Sequence, residues 1–263
     1  MSLIKEIDTP AIIVDLNIVK ENIHTYQRYC DDIGIKLRPH IKTHKIPALA
    51  KLQIEAGAVG ITAQKISEAE AIISEGGIND VLITYNIIGE QKLKALRNLC
   101  QKVKVSVVAD SSFCIKGLSK SFERAKEALP VLVECDTGAN RCGVISPQEA
   151  CELAELIERS PGLIFKGLMT YPPISQAQKV NSFLSNAKKV IEEKRIAAEL
   201  ATQVAAIRDS GLAAGYEFNV SWSGYRQPQF MESLDGRTTY IHPEKGTLVL
   251  SGFQLLGMPN RYT

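Results

Sequence analysis

The chain has 263 residues, 45% hydrophobic and 23% charged, with a formal net charge of +2. These proportions describe a globular protein with a sizeable core. Interspersed charges leave no basic footprint for nucleic acid, and no apolar run approaches the roughly 20 residues that a membrane span needs.

The pattern alternates from the start. Ala11 to Leu16 is β-prone and predicts a first strand, and helical spacing of apolar residues predicts a helix from Asn17 to about Cys30. Ile35 to Ile41 reads as a second strand. Pro47 opens a helix to Ala56 that Gly57 ends, and Ala58 to Thr62 is a third strand. Ser67 begins a helix that stops at Gly76-Gly77, and Asp80 to Thr84 is a fourth strand.

Glu90 to Cys100 then predicts a helix, Val103 to Ala109 a strand and Ser112 to Lys126 a helix. After the strand Pro130 to Cys135, the sequence Ser146-Pro147-Gln148-Glu149 resembles a capping box before a helix to about Arg159. Leu163 to Met169 is a strand, residues 176–210 a long helical stretch, and Tyr216 to Val220 the last strand of the series. Eight strands with seven intervening helices predict a (β/α)8 TIM barrel, whose catalytic groups lie at the carboxyl ends of strands. A doubly wound sheet would share the rule about carboxyl ends, but the repeat number favours the barrel.

Across the end of the second strand lies Leu37-Arg38-Pro39-His40-Ile41-Lys42-Thr43-His44-Lys45, a dense cationic run with Lys42 directly after the strand. A lysine at a strand end, desolvated or set beside other cations, is a candidate for Schiff-base chemistry with a carbonyl. A solvated basic loop is the bland alternative. The other strands end in Gln64, Asn86, Asp110, the run Asp136 to Gly143, Thr170-Tyr171 and Ser221-Trp222-Ser223-Gly224. Lys42, Arg141 and Tyr171 at one mouth, with a Ser/Gly turn at 221–224, suit a carbonyl cofactor that bears a phosphate.

Each of these residues also has a structural reading. Asp136 either caps the turn after it or orients Arg141. Tyr171 could be a packed loop aromatic and His40 a hydrogen-bonded core histidine. Gln64, Asn86 and Asp110 read first as loop or cap residues, and Lys45 as a surface charge. The six cysteines, at positions 30, 100, 114, 135, 142 and 151, contain no C-x-x-C pair. They read as free thiols, and with charged residues in place of a signal h-region at 1–8 a cytoplasmic location is expected. A zinc site from Cys135, Cys142 and a histidine is the competing reading.

Several segments together resemble the D-threonine aldolase and D-serine dehydratase group of alanine-racemase-like, barrel-type (fold-type III) pyridoxal phosphate enzymes. They are Asp8-Thr9-Pro10-Ala11, Arg38 to Lys45, Ala56 to Thr62, Asp136-Thr137-Gly138 with Arg141-Cys142-Gly143, and Gly167 to Tyr171. The resemblance implies a barrel of the alanine racemase N-terminal domain type. It implies a lyase, aldolase or dehydratase, acting on D-β-hydroxy amino acids such as D-threonine or D-serine. Lys42 would be the Schiff-base lysine and base, Arg141 would lie beside the cofactor ring, and Tyr171, Gln64 and His40 near cofactor or substrate.

The resemblance fades at the end. Relatives place a glycine-rich serine/threonine phosphate loop after the last strand of the series, of which Ser221, Ser223 and Gly224 keep a rough register. They continue into a β-rich second domain that carries a histidine/cysteine or histidine/aspartate pair for a divalent metal, and they form dimers. Here residues 1–221 are expected to form the barrel and 222–263 a divergent tail, with the second domain and metal site missing and a shifted reading frame or early stop near Ser221 as the origin. The alternatives are a single barrel that carries pyridoxal phosphate without catalysis, an inactive fragment of a lyase, and a sugar-phosphate aldolase that uses the lysine directly.

Overall fold

The computed structural model describes residues 7–32, 34–171, 186–187 and 190–191, and the backbone of two further strands at 217–222 and 246–251. Helix α1 (Leu16–Asp32) comes first and leads into β1 (Lys36–His40). Five βα units follow the same logic: α2 (Pro47–Glu55), β2 (Ile61–Ala63), α3 (Ile66–Ile73), β3 (Asp80–Ile83) and α4 (Glu90–Cys100). Then come β4 (Lys104–Ala109), α5 (Ser112–Phe122), β5 (Leu129–Cys135), α6 (Pro147–Glu158) and β6 (Leu163–Thr170). Strands β7 (Glu217–Trp222) and β8 (Gly246–Ser251) complete the set.

All neighbouring strands are parallel and pair in sequence order, and β8 returns to β1, so β7 and β8 close the curved wall made by the first six. Side chains alternate across that wall, as the period of two in a strand demands. In β5, Val131, Val133 and Cys135 join the main core between strands and helices. Leu132 instead meets Leu82, Val108 and Met169, one residue from each of four adjacent strands, in a separate apolar cluster. These four cover one side of the ring, and in a barrel of this kind catalytic groups lie at the carboxyl ends of the strands. Lower down, Arg38 reaches Asp80 at 2.7 Å. Gly60 leaves space for that guanidinium, since a Cβ there would overlap it.

Two corrections concern the strands. Ala11 to Leu16 is not a strand: residues 11–15 have no regular structure, and Leu16 already begins α1. Ile12 and Ile13 are 90% and 62% exposed. Their β-prone composition has nothing to act on, because strand preference is realised only against a neighbouring strand and a face to bury. The place beside β1 is taken by β8, which the sequence reading did not anticipate and which lies within residues 222–263.

Local signals fared better. Helix α4 has the bounds expected of it, and the capping box before α6 is present in both halves, Ser146 to the Glu149 N–H and Glu149 back to the Ser146 N–H. Helix α5 stops at Phe122, four residues before the expected Lys126. The helix expected over 176–210 lies outside the described residues except at 186–187 and 190–191, which are helical.

Candidate active site

The turn after β1 carries Lys42. His40, 2% exposed, ends the strand, and its Nδ1 accepts the Lys42 N–H at 3.3 Å. Burial, and then the Lys42 charge, push the His40 pKa down to about 3 against a backbone hydrogen bond at Thr62, so the ring is neutral at ordinary pH. Lys42 itself is half-buried. Burial and the Arg141 guanidinium hold its amine below the ordinary lysine range, with Glu68 opposing them. A larger share of the free amine is then available near neutrality, which a lysine nucleophile requires.

Arg141 arrives on the excursion that follows β5. The Asp136 carboxylate accepts backbone N–H groups from Gly138, Asn140 and Arg141 at 2.8, 3.1 and 2.9 Å. Burial alone would raise this carboxyl's pKa, but these donors hold it below the usual range. The loop returns to its own origin, where Asp136 N–H donates to the Val144 carbonyl at 2.8 Å. Gly143 makes the return possible with φ +105°, since a Cβ would lie 2.6 Å from the backbone of Cys135 and Asp136. Asp110 Oδ2 accepts the Gly143 N–H at 3.2 Å, and Asn86 Oδ1 accepts the Asp110 N–H at 3.3 Å. The strand ends β3 and β4 therefore brace the loop that bears Arg141.

Tyr171, one residue past β6, collects both cations. Its ring centroid is 4.5 Å from Arg141 Cζ and 5.6 Å from Lys42 Nζ, within cation–π range. Beneath it Thr170 and Thr137 share a buried hydroxyl hydrogen bond of 2.7 Å, which fastens the ends of β5 and β6 together.

Lys42, Arg141 and Tyr171 are thus brought together as expected, with His40 beneath them. Gln64 is exposed, and it is its backbone N–H that is bound, to Glu68. Ser221 stands on β7, while Ser223 and Gly224 lie outside the described residues. Three acids were not anticipated in these roles: Glu68, Asp110 and Glu134. Glu134 is 2% exposed, its pKa is raised chiefly by burial, and its Oε1 accepts the Cys142 thiol at 3.1 Å. An acid inside an otherwise apolar strand was the available signal for Glu134. Lys45, read as a surface charge, keeps an exposed side chain yet pairs with the buried Glu68 at 3.1 Å.

All six cysteines are free. Cys135 is buried against the Val133 carbonyl and Cys142 is engaged by Glu134, so the two do not converge on a zinc position. Among the described residues no three His, Cys, Asp or Glu side chains assemble a metal site, and no helix is long and apolar enough to cross a membrane.

A closed parallel barrel thus brings a lysine of lowered basicity, an arginine and a tyrosine together just past its strand ends. The chain belongs to the family described as alanine racemase, N-terminal domain, whose sequence model matches residues 14–223, and hence to the fold-type III pyridoxal phosphate enzymes. It is 34% identical to a D-threonine aldolase of Arthrobacter sp over 207 residues, 79% of this chain and 53% of that protein. It is 32% identical to a 3-hydroxy-D-aspartate aldolase of Paracoccus denitrificans (strain Pd 1222), covering 94% of this chain and 66% of that one. Among solved structures, D-threonine aldolase from Filomicrobium marinum superimposes with a TM-score of 0.71 at 32% identity, over 93% of this chain and 62% of that chain. The chain thus spans between about half and two thirds of the length of these relatives.

The residues present fit pyridoxal phosphate at its carbonyl and ring: a half-buried amine, a guanidinium and an aromatic face meet within 6 Å at one mouth. The strand on which the phosphate turn was expected, β7, is in place beside β6 and β8.

Proposed function

We propose that this chain provides the pyridoxal phosphate-binding barrel of a lyase, an aldolase or dehydratase, that acts on D-β-hydroxy amino acids such as D-threonine or D-serine. The observation that carries the reading is the convergence of Lys42 and Arg141 on Tyr171 at the barrel mouth. When bound, pyridoxal phosphate supplies an electron sink for the charge left on Cα as a bond to that carbon breaks. Lys42 would hold the cofactor through its amine, and its lowered basicity would suit Nζ to accept a proton from the substrate's Cα or β-hydroxyl. Arg141 would lie beside the cofactor ring, and Tyr171, whose ring both cations approach, would form a wall of the site. His40, neutral and buried, supports the Lys42 backbone without adding charge.

The same reading places the protein in the cytoplasm, in D-amino acid metabolism, and as a homodimer. Six free thiols support a reducing compartment. Tyr85 two residues past β3, Phe113 in the first turn of α5 and Ile145 directly before the α6 cap, exposed at 57%, 70% and 74%, support a partner over the mouth face.

The test is the visible spectrum of the purified chain with pyridoxal phosphate, followed by borohydride reduction and peptide mapping. A yellow adduct trapped at Lys42, lost in Lys42→Ala, is the expected result; an adduct retained in that variant would refute the assignment. Aldehyde from D-threonine or ammonia from D-serine would then identify the lyase, and binding without either product would restrict the barrel to carrying the cofactor.

A further inference from the structure

Glu68, in the first turn of α3, has a side chain only 7% exposed, and its two oxygens serve different strands. Oε2 accepts the Gln64 N–H at 3.0 Å, at the end of β2. Oε1 lies 3.1 Å from Lys45 Nζ, three residues past Lys42. Lys45 has φ +51°, a left-handed backbone that lysine seldom adopts, and its N–H donates to the Ile41 carbonyl at 2.8 Å. That bond closes a single helical turn around Lys42. An otherwise unfavourable turn is therefore tied from outside by a buried carboxylate, and the residue inside it is the reactive lysine.

We propose that Glu68 is a positioning residue for Lys42: through Lys45 and the Gln64 N–H it fixes the turn that presents the amine, and it places a negative charge beside that turn. The proposal rests on the reading of Lys42 as the reactive amine, but not on any cofactor being bound. The titratable and charged groups on this turn are His40, His44 and Lys45, and those that reach it from other elements are Glu68 of α3, Arg141 of the loop after β5, and Tyr171 after β6. Burial pushes His40 down to about 3 and His44 to about 4, so both are uncharged near neutrality. Among the described residues, Glu68 supplies the negative charge that acts against burial and Arg141.

The experiment uses the cofactor-free protein and the rate at which a lysine-directed acylating reagent labels Lys42, read by peptide mapping as a function of pH. Glu68→Gln keeps a carbonyl oxygen for the Gln64 N–H and removes the charge. Its labelling curve is expected to move to lower pH, with a rate about threefold higher below the midpoint. Lys45→Asn tolerates the left-handed backbone and removes the competing cation. All of the Glu68 charge then acts on Lys42, and the curve is expected to move to higher pH, with a rate about threefold lower.

A purely structural role would loosen the turn in both variants and shift both curves the same way, as would general destabilisation. Shifts of the same sign, or none in either variant, would overturn the proposal, and if Glu68→Gln fails to fold, the direction of the Lys45→Asn shift alone decides. Pyridoxal phosphate binding is measured separately on the same proteins. Opposite shifts without cofactor binding would leave the role of Glu68 standing and remove the cofactor reading instead.

Discussion

His40 and Lys42 are two residues apart at the end of one strand, and burial lowers the proton affinity of both with different consequences. For Lys42 it enlarges the share of uncharged amine; for His40 it stores a dependence of stability on pH. His40 has a folded pKa pushed down to about 3, mainly by burial and the Lys42 charge. A group depressed in the folded state contributes stability that is present above its unfolded value, near 6.5, and is lost as pH falls toward the folded one. Between pH 7 and pH 5 the unfolded chain takes up a proton that the folded chain refuses, which costs about 2 kcal/mol per such histidine. His44, at about 4, adds a loss of the same sign. His40→Asn retains an acceptor for the Lys42 N–H and abolishes the titration, so its urea midpoint is expected to fall less between these pH values than that of the unmodified protein. Equal slopes would mean that the fold accepts a charged His40. The three residues at the mouth were legible in the sequence because strand ends collect chemistry in a barrel, whatever the detail of the packing. Glu68 was not, because its partners at positions 45 and 64 meet only once β1 and β2 are adjacent.

At the level of the element, β5, its loop and α6 separate stability from site geometry. The capping box at Ser146 serves the helix alone. Ser146→Ala is expected to cost about 1 kcal/mol in urea unfolding and to leave pyridoxal phosphate affinity unchanged. Gly143→Ala is different, because a Cβ at that left-handed position would strike the backbone of Cys135 and Asp136 and displace the loop that carries Arg141. It is expected to lower the urea midpoint and, unlike Ser146→Ala, to weaken cofactor binding as read by absorbance titration. Binding that survives Gly143→Ala unchanged would remove Arg141 from the cofactor reading. The cap was visible in four residues of sequence because it is a local arrangement. The two strand errors were not local. Ala11 to Ile13 has the composition of a strand and no strand to join, whereas Gly246–Ser251 is a short run whose role depends on finding β1 more than 200 residues earlier.

For the whole molecule, closure decides whether the mouth exists. β8 is paired along its length on both sides, with Leu248 opposite Leu37 of β1 and Val220 of β7. It is a central strand, where proline is not accommodated, because the residue's N–H is needed for the ladder and its ring crowds the neighbouring chain. Leu248→Pro leaves a carbonyl on an adjacent strand without its donor, a loss of about 2 kcal/mol, and loosens β1, the strand that delivers Lys42. The urea midpoint and the yield of borohydride-trapped adduct at Lys42 are therefore expected to fall together. Ile12→Pro is the matched control. Residue 12 has no regular structure and is 90% exposed, so proline there should shift stability by no more than about 0.5 kcal/mol. The pair of variants distinguishes two ways of making an eight-stranded ring from this sequence. If Ile12→Pro unfolds the protein and Leu248→Pro does not, the ring is closed by the segment Ala11 to Leu16 and β8 is dispensable. The opposite result places the closing strand within residues 222–263 and makes that stretch a structural requirement for presenting Lys42.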